Sequence, residues 1–146
     1  VSNLGHWCTA ESLSAFAYTA DQDLYPPARW DPVLAEPTTR HWVHLGNRRI
    51  TLVADNEGLS GLWDEHVGCR WLTEPSPHGT GVSRVSSVDG QAPDALATSY
   101  VEGGDLTRIF GPTFSRVTVA AAGVELSRTV LCPEGEQPWV LIRVVV

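Results

Sequence analysis

The sequence predicts an all-β protein, an antiparallel β-sandwich with one short N-terminal helix and a proline-rich connector. Three observations lead there. Runs of β-branched and aromatic residues recur from Trp42 onward at intervals of about 8 to 12 residues. Turn formers separate them, drawn from 13 Gly and 10 Pro in 146 residues. The last third alternates apolar and polar residues with the period of two that sends successive side chains to opposite faces of a sheet.

Residues 1–20 hold the expected helix, with Thr9 as N-cap, Glu11 in the first turn, and Leu13, Phe16 and Ala17 at helical spacing. Residues 21–39 carry Pro26, Pro27, Pro32 and Pro37. That density forbids a regular ladder, so they read as an extended connector pinned by Tyr25 and Trp30. Residues 1–41 are thus an N-terminal extension with its connector, and residues 42–146 a sandwich. His41-Trp42-Val43-His44 reads as a half-exposed strand start. Arg49–Ala54 is β-branched and ends in the turn Asp55-Asn56-Glu57-Gly58. Cys69–Leu72 is a short strand closed by Pro75-Ser76-Pro77-His78-Gly79, and Val82–Val88 and Ala95–Val101 flank Asp89-Gly90. Leu106–Phe110 runs into Gly111-Pro112. Phe114–Ala121 and Val124–Cys132 flank a tight turn at Ala122-Gly123, the signature of a hairpin. In the second of these Val124, Leu126, Val130 and Cys132 share one face, interrupted by Arg128. Pro133–Pro138 then turns the chain into a last strand, Trp139–Val146. The chain has no Met, begins at Val1 and finishes on an apolar strand with no turn after it. A piece of a longer polypeptide is expected, the sandwich being the front part of a larger domain.

Composition narrows the function classes. Hydrophobic residues make up 42% and charged residues 18%, the balance of a folding chain. A net charge of −7 argues against nucleic acid or an anionic membrane as partner. No apolar run approaches the roughly 20 residues of a membrane span. All ten cations are Arg, so no phosphate-binding GxxxxGK loop exists. Cys8, Cys69 and Cys132 are odd in number and widely spaced, which reads as three buried thiols in a reducing compartment, with a single bridge as the alternative. With no leader pattern at the start, a cytoplasmic location is expected.

Candidate chemistry is sparse. Five of the six tryptophans, Trp7, Trp30, Trp42, Trp63 and Trp71, lie in the first half. Indole faces either stack on the C–H faces of sugar rings or fill a sandwich core. His6-Trp7-Cys8 and His66-Val67-Gly68-Cys69 put N and S donors close together but lack the paired spacing of a zinc knuckle. Ser60 sits in Gly58-Leu59-Ser60-Gly61, which is not a nucleophile elbow. Asp64 and Glu65 are adjacent, and on a strand they point to opposite faces, a poor acid/base pair. No catalytic residue, metal site or cofactor is expected.

Several segments taken in order resemble the N-terminal β-sandwich of the glycoside phosphorylases of glycoside hydrolase family 94, the relatives of cellobiose phosphorylase and cyclic β-glucan synthase. Leu45-Gly46-Asn47-Arg48-Arg49-Ile50-Thr51, continuing to Ser60, is similar to that family's opening Gly-Asn-Gly-Arg-Tyr-Thr hairpin. Arg70-Trp71-Leu72 is similar to its following Thr-Arg-Trp. Phe114–Val146 resembles its paired strands with a proline turn and a final strand centred on arginine. Ile50 stands where the family has an aromatic residue, and Leu59 where it has tyrosine. The resemblance implies a galactose-mutarotase-like supersandwich followed by a catalytic (α/α)6 barrel. It makes this chain a non-catalytic accessory segment that shapes a sugar site for an oligosaccharide or glucan and takes part in a homodimer. The carbohydrate-binding residues it implies are Arg48, Arg70 and Trp71. A free-standing carbohydrate-binding module is the alternative, and an immunoglobulin-like adhesion sandwich a third, disfavoured because the proline-rich connector falls where inner strands belong. Sugar titration separates the first two: a module responds, and an isolated accessory segment is silent.

Overall fold

The structure, a computed structural model, describes residues 4–19, 41–64, 68, 70–74, 81–86, 96–98, 105–121 and 123–146. Every regular element among them is a strand: β1 (Gly5–Ala10), β2 (Leu13–Tyr18), β3 (Trp42–Gly46), β4 (Thr51–Asp55), β5 (Ser60–Asp64), β6 (Arg70–Thr73), β7 (Arg84–Val85), β8 (Leu96–Ala97), β9 (Asp105–Phe110), β10 (Phe114–Ala121), β11 (Val124–Leu131) and β12 (Leu141–Val145). The protein is all-β and its sheets are antiparallel. One sheet has the order β1-β2-β9-β10-β11-β12, a second β3-β4-β5-β6, and β7 pairs with β8. No helix of the described residues is long and apolar enough to cross a membrane.

The N-terminal helix is a correction. Thr9 lies in β1, Glu11 and Ser12 form the turn, and Leu13, Phe16 and Ala17 belong to β2. Glu11 and Ser12 have φ of 52° and 62°, the paired positive values of a two-residue hairpin turn. Neither residue is Gly or Asn, so the turn carries no sequence signal. Its conformation is sustained from outside. β2 pairs with β9 through Phe16–Phe110, Ala17–Ile109 and Tyr18–Arg108, and Glu11 is ion-paired with Arg116 on β10. Tertiary pairing overrides the local helical spacing. The proline-rich connector, with Tyr25 and Trp30, lies outside the described residues.

Directly opposed residues of an antiparallel pair share a face, so the register sorts the six-stranded sheet. Its core face carries the row Phe16–Phe110–Ser115–Val130–Ile142, then Tyr18–Arg108–Val117–Arg128–Val144, then Leu106–Val119–Leu126. Leu45 and Leu52 of the four-stranded sheet, with Ile50 just before β4, cluster with Val130 and Cys132, while Ala54 packs with Tyr18 and Phe110. Both sheets therefore feed common apolar clusters. Leu96, Val117, Val119 and Leu126 form a third.

The strands expected at Phe114–Ala121 and Leu106–Phe110 are β10 and the body of β9. The Val82–Val88 and Ala95–Val101 expectations contract to the two-residue β7 and β8 among the described residues. β5 is an addition to the expected strands. Its residues Ser60, Gly61 and Asp64 are weak strand formers, and it is held by ladders to β4 and β6 on either side.

Cys8 and Cys132 are free thiols, and Cys132 is fully buried. Burial pushes the Cys132 thiol up, partly opposed by a backbone hydrogen bond from Asn47. The unfolded thiol therefore ionises first. Its contribution to stability is complete below the ordinary thiol range and is lost as pH rises through it. Urea melts from neutral to alkaline pH are expected to show a decline in unfolding free energy that Cys132→Ala shows less of. Equal slopes in the two proteins contradict the assignment.

Candidate functional site

The residues singled out in the sequence fall in two places. Arg48 lies in the β3–β4 turn, exposed, with its guanidinium 3.3 Å from the Glu136 carboxylate of the β11–β12 connection. Beside it Asn47 donates from Nδ2 to the carbonyls of Pro133 at 3.0 Å and Gln137 at 2.9 Å. Its Oδ1 accepts from the backbone of Arg49 and Ile50. The Gly-Asn-Arg stretch thus ties the β3–β4 turn to the β11–β12 connection. Arg70 and Trp71 lie on the edge strand β6, with Arg70 opposite Asp64 and Trp71 opposite Trp63. The two indoles meet edge to face at 5.2 Å. Arg48 and Arg70 sit at the same end of the four-stranded sheet, because both flank the row Thr51–Trp63–Trp71.

A further aromatic surface lies elsewhere. A pocket of about 640 Å³ opens between the β1–β2 hairpin, β3 and the β9–β10 turn, lined by Leu4, Trp7, Ser14, Phe16, Tyr18, His41, Val43, His44, Leu45, Phe110, Gly111 and Pro112. Trp7 is 77% exposed and meets Phe16 edge to face at 5.6 Å, so the indole is held upright yet open to solvent. Tyr18 stands edge-on to Phe110 at 6.4 Å deeper in. The pocket lies where edges of both sheets meet, β1 being an edge of the six-stranded sheet and β3 an edge of the four-stranded one.

A buried polar network forms the back of this pocket. Tyr18 Oη and His41 Nδ1 are 2.7 Å apart. The Asn56 side chain accepts from the His41 backbone N–H at 2.9 Å, and the Asn56 N–H donates to the His41 carbonyl at 3.2 Å. Asn56 Nδ2 donates to Tyr18 Oη at 3.4 Å. Behind them Arg108, fully buried, donates to the Asn56 carbonyl at 2.8 Å and lays its guanidinium 4.7 Å from the centre of the Tyr18 ring. Asp55, also fully buried, turns the chain by accepting from the N–H groups of Glu57 and Leu59. The turn that in sequence merely separates strands is the fastening point of the site. Alternation in β9 puts Arg108 on the face of Leu106 and Phe110 but does not reveal what its guanidinium meets there.

Arg128 is the second inward arginine, 4% exposed, donating to Ser60 Oγ at 2.7 Å and the Gly81 carbonyl at 2.6 Å. Burial lowers its pKa to about 10, so the guanidinium is still charged at neutral pH. Ser60 is taken up by this contact. His66 and Cys69 lie outside the described residues, and His6 and Cys8 sit on β1. Among the described residues no three His, Cys, Asp or Glu side chains are grouped to hold a metal ion.

Fold and pocket together define an all-β chain of antiparallel sheets with an aromatic, polar-backed pocket at one margin. Set against models of protein families, curated proteins and solved structures, the chain matches none.

Proposed function

We propose that the two sheets are the layers of a β-sandwich that binds carbohydrate without transforming it, with the Trp7 pocket as the sugar site. The observation that carries this reading is the exposed Trp7 indole braced on Phe16 at the mouth of the pocket. An indole held in this way offers a flat face to the C–H side of a pyranose ring. His44 and Ser14 at the wall and the Tyr18–His41 pair at the back supply hydrogen-bonding groups for hydroxyls. The free thiols Cys8 and Cys132 support residence in a reducing compartment, the cytoplasm.

The second reading is the accessory segment of a glycoside phosphorylase or hydrolase whose reactive groups lie in an (α/α)6 barrel. The exposed Arg70 and the partly exposed Trp71 at one end of the four-stranded sheet favour it, since they leave that end available to border a neighbouring site.

Intrinsic fluorescence titrated with a panel of β- and α-linked gluco-oligosaccharides tests the choice. A saturable change is expected for the wild-type protein. Trp7→Ala is expected to weaken binding by about tenfold, while its stability stays within about 0.5 kcal/mol because the side chain is largely exposed. Silence across the panel overturns the module reading and leaves the accessory one.

A further inference from the structure

The buried groups at the back of the Trp7 pocket fix the direction of the Tyr18–His41 contact. A backbone N–H can only donate, so the Asn56 atom that meets the His41 N–H at 2.9 Å is the oxygen Oδ1. That orients the amide. Its other end, 3.4 Å from Tyr18 Oη, is the NH2 group, which again can only donate. Tyr18 Oη therefore accepts from Asn56, and its own proton does not point that way. Its partner at 2.7 Å is His41 Nδ1, a length usual for an O–H donor and short for an N–H donor. The Arg108 guanidinium lies 4.7 Å from the centre of the Tyr18 ring, where a positive charge favours the phenol as donor. Tyr18 is 5% and Asn56 1% exposed, so bulk water does not compete for these groups.

We propose that Tyr18 is a positioning residue of the Trp7 pocket: its hydroxyl donates to His41 Nδ1, which keeps the proton of the neutral ring on Nε2 and fixes which ring edge faces Tyr18. A neutral imidazole has one N–H donor and one acceptor, and here the acceptor is engaged by Tyr18. His41 lines the pocket, so a ligand atom that meets Nε2 meets a donor. The ligand class suited to that edge carries acceptor oxygens, as the hydroxyl, ring and glycosidic oxygens of a saccharide do. A group that can only donate, such as an alkylammonium, is refused there. This inference rests on the sugar reading of the pocket, but its first test uses no sugar.

Long-range 1H–15N correlation spectra, recorded above the midpoint of the titration of His41 itself, read the ring directly. A proton on Nε2 and a bare Nδ1 are expected, with the Nδ1 signal moving in Tyr18→Phe, which keeps the ring packed on Ala54 and Phe110 but loses the donor. A proton on Nδ1, or ring nitrogen signals unchanged in Tyr18→Phe, overturns the proposal and leaves the sugar reading standing. Titration with cellotriose and maltotriose tests the consequence. His41→Ala and Tyr18→Phe are each expected to weaken binding by about fivefold, the worth of one net hydrogen bond. The double variant is expected to bind no more weakly than His41→Ala alone, because Tyr18 acts through the ring. Losses that simply add overturn the positioning role. Silence of the wild-type protein toward both sugars overturns the sugar reading, and that role with it, whichever nitrogen carries the proton.

Discussion

Arg108→Ala is expected to destabilise the protein by about 3 to 5 kcal/mol, the upper range for a large-to-small change at a fully buried side chain. Two effects add. The Asn56 carbonyl loses the donor at 2.8 Å, which costs about 1 to 3 kcal/mol for a buried group left unsatisfied. The hole left beneath the Tyr18 ring adds a cavity cost, since the surroundings collapse only in part. Relief from burying a charge works the other way but does not refill the space. Arg108→Met separates the terms, filling the volume without the charge or the donor, and is expected to cost less. In both variants Tyr18 and Asn56 lose their common support, so the Tyr18–His41 pair at the back of the pocket loosens. Urea denaturation measures the first effect and oligosaccharide titration the second. An Arg108→Ala protein within about 1 kcal/mol of wild type contradicts the network described for this site.

Phe114→Ala is expected to cost about 3 to 5 kcal/mol as a large-to-small change at a buried ring. Phe114 lies beneath the β9–β10 turn, where the Gly111 N–H donates to its carbonyl at 2.8 Å and the Arg116 guanidinium sits 5.7 Å from its ring centre. The ring is so close to Gly111 that a Cβ added there collides with it. Gly111→Ala is therefore expected to cost about 1 to 3 kcal/mol by overpacking. Because Gly111 and Pro112 line the Trp7 pocket, Phe114 acts as the prop under one of its walls. Combining the two changes tests this directly. Removing the ring makes room for the methyl group, so the double variant is expected to be more stable than the sum of the single effects requires. Strict additivity in thermal or urea melts contradicts the contact.

Part of the site is legible in the amino-acid sequence. Trp7 belongs to the tryptophan set that marks the first half of the chain, and Asp55-Asn56-Glu57-Gly58 is recognisable as a turn from its composition alone. Arg48, Arg70 and Trp71 are legible only through resemblance. Two of the three sit in described contacts, Arg48 with Glu136 and Trp71 against Trp63, while the Gly-Asn-Arg stretch fastens one turn to another. Alternation puts Arg108 and Arg128 on the apolar faces of their strands, but their burial is not legible, because charge normally signals the solvent side of a strand. Alternation fixes which residues share a face but not what the opposite layer supplies, here the Asn56 carbonyl for one arginine, and Ser60 Oγ and the Gly81 carbonyl for the other.

The all-β class, the antiparallel hairpin of β10 and β11, and the apolar face that β11 turns to the core all follow from the order of residues alone. They rest on contacts between neighbours in the chain, where a period of two and a turn residue suffice. Long-range packing was needed to settle that residues 5–18 form a hairpin rather than a helix, that β5 exists, and which partners hold two arginines in the interior. Each of those depends on partners far away in sequence, as Tyr18 does on Arg108 and Arg128 on Ser60, and a local pattern carries no energy term for a partner it does not contain.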